Sequence, residues 1–306
     1  MKIVVFGGAG FIGSHFVDLI SSKSEVQEIL VIDSLTYAGN IKNLNSALQI
    51  GKVRFLQADL LNPEIYMPEI KNFSHVVNFA AESHVDRSIS GPKPFFMSNA
   101  VGVGVLCDAL TKSDVTKFLQ VSTDEVYGPV LESESVETDL LLPSSPYSSS
   151  KASGDLIALS FWNTFKFPTI VTRGSNTYGP RQFPEKLIPL AIQNLKQGKK
   201  IPVYGNGMQV REWMHVFDHA NGIWHALTQG IDGEIYNVGS GERLTNIALL
   251  GEILSEFKLD KNSLEFVEDR KGHDIRYALN SKKLSSLTGW TPKYKLNEAI
   301  KSCRDW

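Results

Sequence analysis

A doubly wound parallel α/β sheet followed by a smaller mixed α/β C-terminal region is the architecture this sequence predicts, on three observations. Short β-rich runs alternate with amphipathic helical stretches through the first half of the chain. A glycine-rich turn joins the first of those runs to the first helical stretch. After Tyr178-Gly-Pro180 the texture changes, with shorter pieces and more frequent Pro and Gly. Strand–helix alternation demands parallel pairing with helices on both faces of the sheet.

The elements follow in order. Lys2–Phe6 is the first strand; its apolar run ends in glycines without a cleavage-like site, so it is not read as a signal peptide. In Gly7-Gly-Ala-Gly10-Phe11-Ile12-Gly13 the glycines allow a tight turn, close backbone approach to a pyrophosphate and close packing of the following helix, Phe11–Ser22. The second strand, Glu28–Ile32, ends at Asp33, where an acid hydrogen-bonds adenosine ribose hydroxyls and repels a 2′-phosphate, favouring NAD over NADP. The competing role for Asp33 is a helix cap or a solvated loop acid. Val53–Gln57 leads to Asp59-Leu60, where an adenine ring would rest, although a plain helix-capping Asp fits nearly as well. His75–Phe79, Phe118–Val121 and Thr169–Arg173 complete the strands, with helical stretches at Ala100–Thr111 and Ser148–Phe165. Residues 1–179 thus read as a Rossmann domain, and 180–306 as a region partly interleaved with it. There, Val216–Ala226 reads as a helix and Ile235–Val238 as a strand that can rejoin the first sheet.

Bulk properties exclude several classes. The chain has 306 residues, 42% of them hydrophobic, and a formal net charge of −2. That balance argues against nucleic acid as the main partner. No apolar run approaches the roughly 20 residues of a membrane helix. Two distant cysteines, Cys107 and Cys303, make no disulfide framework, so a reducing cytoplasm is expected. His215, His219 and His225 have no acid or cysteine at ligand spacing, and no metal site is expected.

Two constellations carry chemistry. Tyr147 and Lys151 stand four apart, hence on one face of a helix. A nearby ammonium favours the phenolate and lowers a tyrosine's pKa, so Tyr147 can exchange a proton with an alcohol while hydride leaves to NAD. A solvated Tyr-x-x-x-Lys face is the plainer role for such a pair. Val121-Ser-Thr123-Asp124-Glu125-Val-Tyr-Gly128 sets two acids at the carboxyl end of a buried strand, where charge is costly unless used. In an extended exit their side chains would aim to opposite sides.

Several segments carry a family resemblance: Gly7–Gly13, Asp33-Ser-Leu-Thr-Tyr-Ala-Gly-Asn40, Ala80-Ala-Glu-Ser-His-Val-Asp-Arg-Ser88, Ser122–Gly128, Tyr147–Lys151, Phe183-Pro-Glu-Lys-Leu-Ile-Pro189 and Gly272-His-Asp-Ile-Arg-Tyr277. Together they resemble the nucleotide-sugar dehydratase branch of the extended short-chain dehydrogenase/reductase superfamily, over residues 7 to about 280. The Thr-Asp-Glu triplet is the specific part, since related epimerases generally carry small hydroxyl residues there. The resemblance implies 4,6-dehydration of dTDP-glucose, or alternatively UDP-glucose, with recycled NAD. A C5 proton is acidic only once C4 is a ketone, so oxidation must come first. Tyr147 and NAD would oxidise C4, Glu125 would take the C5 proton, protonated Asp124 would release the C6 hydroxyl as water, and Thr123 would hold the C4 oxygen. A UDP-sugar 4-epimerase would share Tyr147 and NAD but would need no acid pair, and a non-catalytic sensor would be expected to lack Tyr147 or Lys151.

Also implied by the resemblance are cofactor contacts from Gly7, Gly10, Phe11, Ile12, Gly13, Asp33, Leu35, Thr36, Asp59, Leu60, Ala80, Ala81, Ser98, Tyr147, Lys151 and Asn176. On the substrate side it implies Ser83, His84, Thr123, Asn176, Lys186, Leu187, Pro202, Tyr204, Asn246, His273 and Tyr277, with Arg211 gripping the diphosphate of the nucleoside diphosphate sugar. By the same analogy, Phe95–Thr111 and Tyr147–Phe165 would form a homodimer interface.

Overall fold

Seven parallel strands make the central sheet of the computed structural model, which describes residues 1–301 and 303. From one edge to the other they run β3 (Val53–Gln57), β2 (Glu28–Asp33), β1 (Lys2–Phe6), β4 (His75–Asn78), β5 (Lys117–Thr123), β6 (Thr169–Gly174) and β10 (Ile235–Val238). The strand order reverses between β1 and β4, which opens a crevice at the carboxyl ends of both strands. Alternation of buried and exposed positions is absent from β1, β2 and β6; their near-continuous burial is what two helix-covered faces require.

Two elements differ from expectation. The fifth strand extends past Val121 to Thr123, because Ser122 and Thr123 continue in register with Arg173 and Gly174 of β6. The stretch read as a helix from residue 95 or 100 to 111 is three pieces: Lys93–Phe96, a π-helical turn Met97–Val101, and Gly102–Leu110. The widened turn carries Asn99 inward. Its Oδ1 accepts from Glu82 N–H at 2.9 Å, and its Nδ2 donates to Glu82 O and Ser150 Oγ, each at 2.9 Å. One buried amide thus ties three segments together, a use often seen for π-turns.

The helix Pro146–Phe165 begins with a capping box between Ser145 and Ser148 and stops at Lys166 in the left-handed region. A three-stranded sheet follows, built from β7 (Asn176–Tyr178), β9 (Val210–His215) and β11 (Arg243–Thr245), and a parallel pair joins β8 (Ile201–Tyr204) to β12 (Leu264–Val267). This part has its own core around Tyr178, Ile192, Leu250 and Leu254. The chain crosses between the two bodies repeatedly. β7 precedes residue 180, while β10 pairs with β6, and Ala220, Ile223, Trp224 and Leu284 fill the same core as Ile3, Phe16 and Leu119. Among the described residues no helix is long and apolar enough to cross a membrane, and no cluster of metal-ligating side chains occurs.

Candidate active site

Two cavities meet the crevice. The first, of about 290 Å³, is lined by Gly7, Gly10, Asp33, Thr36, Asp59, Leu60, Ala80, Ala81 and Ser98 of the predicted cofactor set. The glycines are required by space. Gly7 has φ +70°, and a Cβ there would fall 2.5 Å from Ala80 N; a Cβ on Gly13 would fall 2.3 Å from Gly7 O. Gly10 caps the helix Phe11–Ser21 with no side chain in the way. Asp33 ties this cradle together: Oδ2 accepts from Ala9 N–H at 3.0 Å and Oδ1 from Leu35 N–H at 2.8 Å. Burial raises its pKa, and the two N–H bonds oppose that rise. Phe11, Ile12, Gly13 and Leu35 do not line this cavity, and Tyr147 and Lys151 line neither cavity. Asn176 lines the second cavity instead. Tyr37, Glu82, Pro94 and Met97 also line the first and were not foreseen.

Tyr147 and Lys151 are both buried on the first turns of Pro146–Phe165. The expected lowering of the tyrosine's pKa is not what this geometry produces. Lys151 Nζ donates to Val121 O at 2.7 Å, and burial, reinforced by the Glu125 charge, raises Tyr147 while a hydrogen bond with Thr123 opposes the rise. Burial in turn lowers Lys151 to about 8, against the pull of Asp155. Desolvation outweighs the i, i+4 pairing.

The acids also differ from the sequence reading. Asp124 and Glu125 lie on a 3₁₀ turn, Asp124–Tyr127, and not on an extended exit, so they are offset around a helix and not simply opposed. Thr123 caps that turn, accepting from Glu125 N–H at 3.3 Å and donating to Asp124 Oδ1 at 3.2 Å. Asp124 is buried at 2% exposure, and its Oδ2 has no protein partner. Burial pushes it well above the usual carboxylate range, with the charges of Glu125 and Glu212 adding to the rise. Glu125 is also raised by burial, but Arg211, Arg270 and Lys186 all pull it back. Arg211 draws on both carboxyls and Asp274 opposes the pull on Glu125, so the two differ in balance: Asp124 has two anionic neighbours against one cation, Glu125 three cations against one anion.

The second cavity, of about 360 Å³, brings together Glu125, His84, Asn176, Lys186, Leu187, Pro202, Tyr204, Arg211, Asn246, His273 and Tyr277. Ser83 and Thr123 do not line it; Ser83 O accepts from Lys186 Nζ at 2.7 Å. Arg211 lies with its guanidinium carbon 4.6 Å from the Tyr277 ring centre and donates to Val210 O and Asp274 O. Tyr277 donates to Asp274 in turn. Sequence reasoning missed Asp86, Glu185, Trp213 and Arg270. Glu185 stands beside Lys186 and Arg270 three residues before His273, so proximity to chosen positions was the available signal.

A dinucleotide cradle, a buried Tyr–Lys pair and a cavity in which Lys186, Arg211 and Arg270 face Asp86, Glu125 and Glu185, with Asp124 buried outside its lining, define a nucleotide-sugar-modifying enzyme of the Rossmann class. A family model for GDP-mannose 4,6 dehydratase matches residues 4–303, and the chain belongs to that family. It is similar to the dTDP-glucose 4,6-dehydratase of an Actinoplanes species (42% identity, 100% of this chain and 97% of the relative). A Haloferax volcanii low-salt glycan biosynthesis protein is 43% identical, over 100% of this chain and 98% of that protein. Among solved structures, a Streptomyces venezuelae dTDP-glucose 4,6-dehydratase with NAD and dTDP bound superposes with a TM-score of 0.97 at 41% identity, covering 100% of this chain and 96% of that one. The UDP-glucuronic acid 4-epimerase of Bacillus cereus gives a TM-score of 0.94 at 25% identity, with 100% and 98% covered.

Proposed function

We propose that this protein is a redox-neutral hydro-lyase that converts dTDP-glucose to dTDP-4-keto-6-deoxyglucose with NAD as a recycled cofactor. The observation that carries the reading is the pair Asp124 and Glu125, adjacent in sequence, both raised by burial, and held in unlike surroundings in which only Glu125 has several cations to favour its charge. An elimination needs one group that keeps its proton and one that gives it up. An epimerase would leave that pair idle. The glycine cradle and Asp33 fit NAD: a side chain at Gly7 or Gly13 would collide with backbone, which keeps the turn close, and Asp33 lines the first cavity at the end of β2, where the adenosine ribose would lie. When bound, NAD accepts hydride from C4 and later returns it to C6.

The chain's own residues do the rest. Tyr147, ionised beside the Lys151 ammonium that steadies its phenolate, takes the C4 hydroxyl proton as hydride leaves C4. Before the next turnover Tyr147 releases a proton and Asp124 regains the one it gives to the leaving hydroxyl. Thr123, bonded to Tyr147, holds the C4 oxygen. Glu125 removes the C5 proton made acidic by the C4 ketone. Asp124 gives its proton to the departing C6 hydroxyl, so water leaves and a C5–C6 double bond forms. Glu125 returns a proton to C5 as C6 is reduced. Arg211, Lys186 and Arg270 supply positive charge for the diphosphate side of the cavity. Full-length relatives at about 40% identity bearing the dTDP-glucose name support thymidine over uridine.

A homodimer is part of this reading. Phe96, Met97 and Val101 on one side and Leu156 and Phe165 on the other leave large apolar groups exposed along the segment 93–110 and the helix Pro146–Phe165. The buried thiol of Cys107 suits the cytoplasm.

The test is turnover in heavy water with dTDP-glucose and UDP-glucose in parallel, read by mass spectrometry. Loss of one water with one deuterium gained at C5 is expected, faster with the thymidine donor. An unchanged mass with both donors overturns the dehydratase, and appearance of a galacto isomer substitutes the epimerase.

A further inference from the structure

Tyr37 stands in the wall between the two cavities. It lies on the loop after Asp33 and lines the first cavity. Its hydroxyl donates to Glu185 Oε1 at 3.0 Å, and Glu185 lines the second. The other Glu185 oxygen, Oε2, is 3.9 Å from His84 Nε2, also in the second cavity. Above the ring, the Arg87 guanidinium carbon sits 3.8 Å from its centre, within cation–π range. Arg87 also pairs at 3.7 Å with Glu82, which lines the first cavity, and the Phe183 ring meets Tyr37 edge-on at 5.3 Å. The mechanism above uses none of these contacts. Burial and the Glu185 carboxylate push the phenol up to about 12, so at neutral pH it remains a donor to that carboxylate.

We propose that Tyr37 is a positioning residue that acts through Glu185 to couple the two sites, so that dinucleotide in one cavity and nucleoside diphosphate in the other favour each other's binding. The inference rests on the function proposed above. Glu185 is an anion beside a cavity that must admit a diphosphate, so its direction matters. Its oxygens are engaged by Tyr37 and His84, while Lys186, held on Ser83 O, and Arg270, paired with Asp86 at 3.5 Å, stand beside the ligand without it. A dinucleotide against Tyr37 restricts the ring from the far side, and with it the hydroxyl that holds Glu185. The nucleotide arriving second then meets a carboxylate already ordered, and the ordering cost is met once for both ligands. By linkage, the nucleotide must tighten the dinucleotide by the same factor.

Titration calorimetry tests this with dTDP added to protein stripped of NAD and to protein reloaded with it. Wild type is expected to bind dTDP about 5–10-fold tighter when loaded. Tyr37→Phe keeps the ring under Arg87 and removes only the hydroxyl, and it should bring that ratio below about 2. Glu185→Ala should do the same, and the double variant should lose no more than either alone, since both act through one contact. A purely structural role for Tyr37 would lower affinity equally in both states and leave the ratio unchanged. A wild-type ratio of one, an unchanged ratio in Tyr37→Phe, or additive losses in the double variant would each overturn the coupling. If UDP binds and dTDP does not, and the ratio behaves as above with UDP, the thymidine assignment fails while the coupling stands. If neither nucleotide binds either form, both fail.

Discussion

Asp124 sits where a carboxyl is hard to ionise, with burial first and two carboxylate neighbours second among the causes. Because its folded-state pKa lies above the unfolded one, its contribution to stability is fully present below the unfolded value and is lost as pH rises through the folded value. Ionised, it weakens the fold. Asp124→Asn is therefore expected to raise the melting temperature at pH 8 by about 2 °C or more, on the usual scale for a chain of this size. The same variant should lower turnover about 10²–10⁴-fold, the range of a lost general acid. Solvent deuterium should still enter C5 of unconverted sugar, because Glu125 remains. Loss of both exchange and elimination in Asp124→Asn would contradict the division of labour. In wild type, the rising limb of the pH–rate profile should report Glu125 and the falling limb Asp124, both above ordinary carboxylate values, and the falling limb should vanish in Asp124→Asn. Legible in the sequence were the pair itself and Tyr147. Glu212, which sharpens the contrast between the acids, was not: it accepts from Gly241 N–H and Arg243 Nε, brought in by the pairing of β9 with β11, and from Leu279 N–H, brought in by the later chain, all of them tertiary contacts.

Single elements impose their own tests. Gly13→Ala would put a methyl carbon 2.3 Å from Gly7 O, so the first turn of Phe11–Ser21 must move off the cradle. NAD affinity should fall at least about 10-fold, since close backbone approach is what the fingerprint supplies; calorimetry showing wild-type affinity would remove the cradle from the account. Asn99→Ala leaves Glu82 N–H and O without their partner inside the protein, while Ser150 Oγ keeps its bond to Tyr147 O. A loss of about 2–4 kcal/mol by urea unfolding is expected, from two groups left unsatisfied. Periodicity and glycine spacing made the strands, the cradle and the long helix readable. The π-turn was not, because an amide turned inward at Asn99 looks on paper like any polar residue on a helix. Likewise the 3₁₀ turn at Asp124 follows from the Thr123 cap and the Leu142 N–H bond to Val126 O, which fix the chain's exit after β5.

At the scale of the molecule, the boundary read near residue 180 marks a change of texture and not a seam. Composition reports local preference, whereas the pairing of β10 with β6 and the packing of Val216–Gln229 against Phe11–Ser21 are decided by which apolar faces remain uncovered. A fragment of residues 1–179 should accordingly fail to give a cooperative unfolding transition or bind NAD, while the full chain does both; a well-folded, NAD-binding fragment would refute this. The same threading bears on how the protein is made. About 60 residues lie between the end of β6 and the start of β10. At the usual pace of synthesis, about 5–20 residues per second, the nascent chain displays an open, apolar β6 edge for about 3–12 s before its covering strand exists. Such an edge is a template for pairing with other chains. Slower elongation across residues 175–234 would lengthen that exposure on the ribosome, so yield of soluble enzyme should depend on codon choice in this stretch more than in any other.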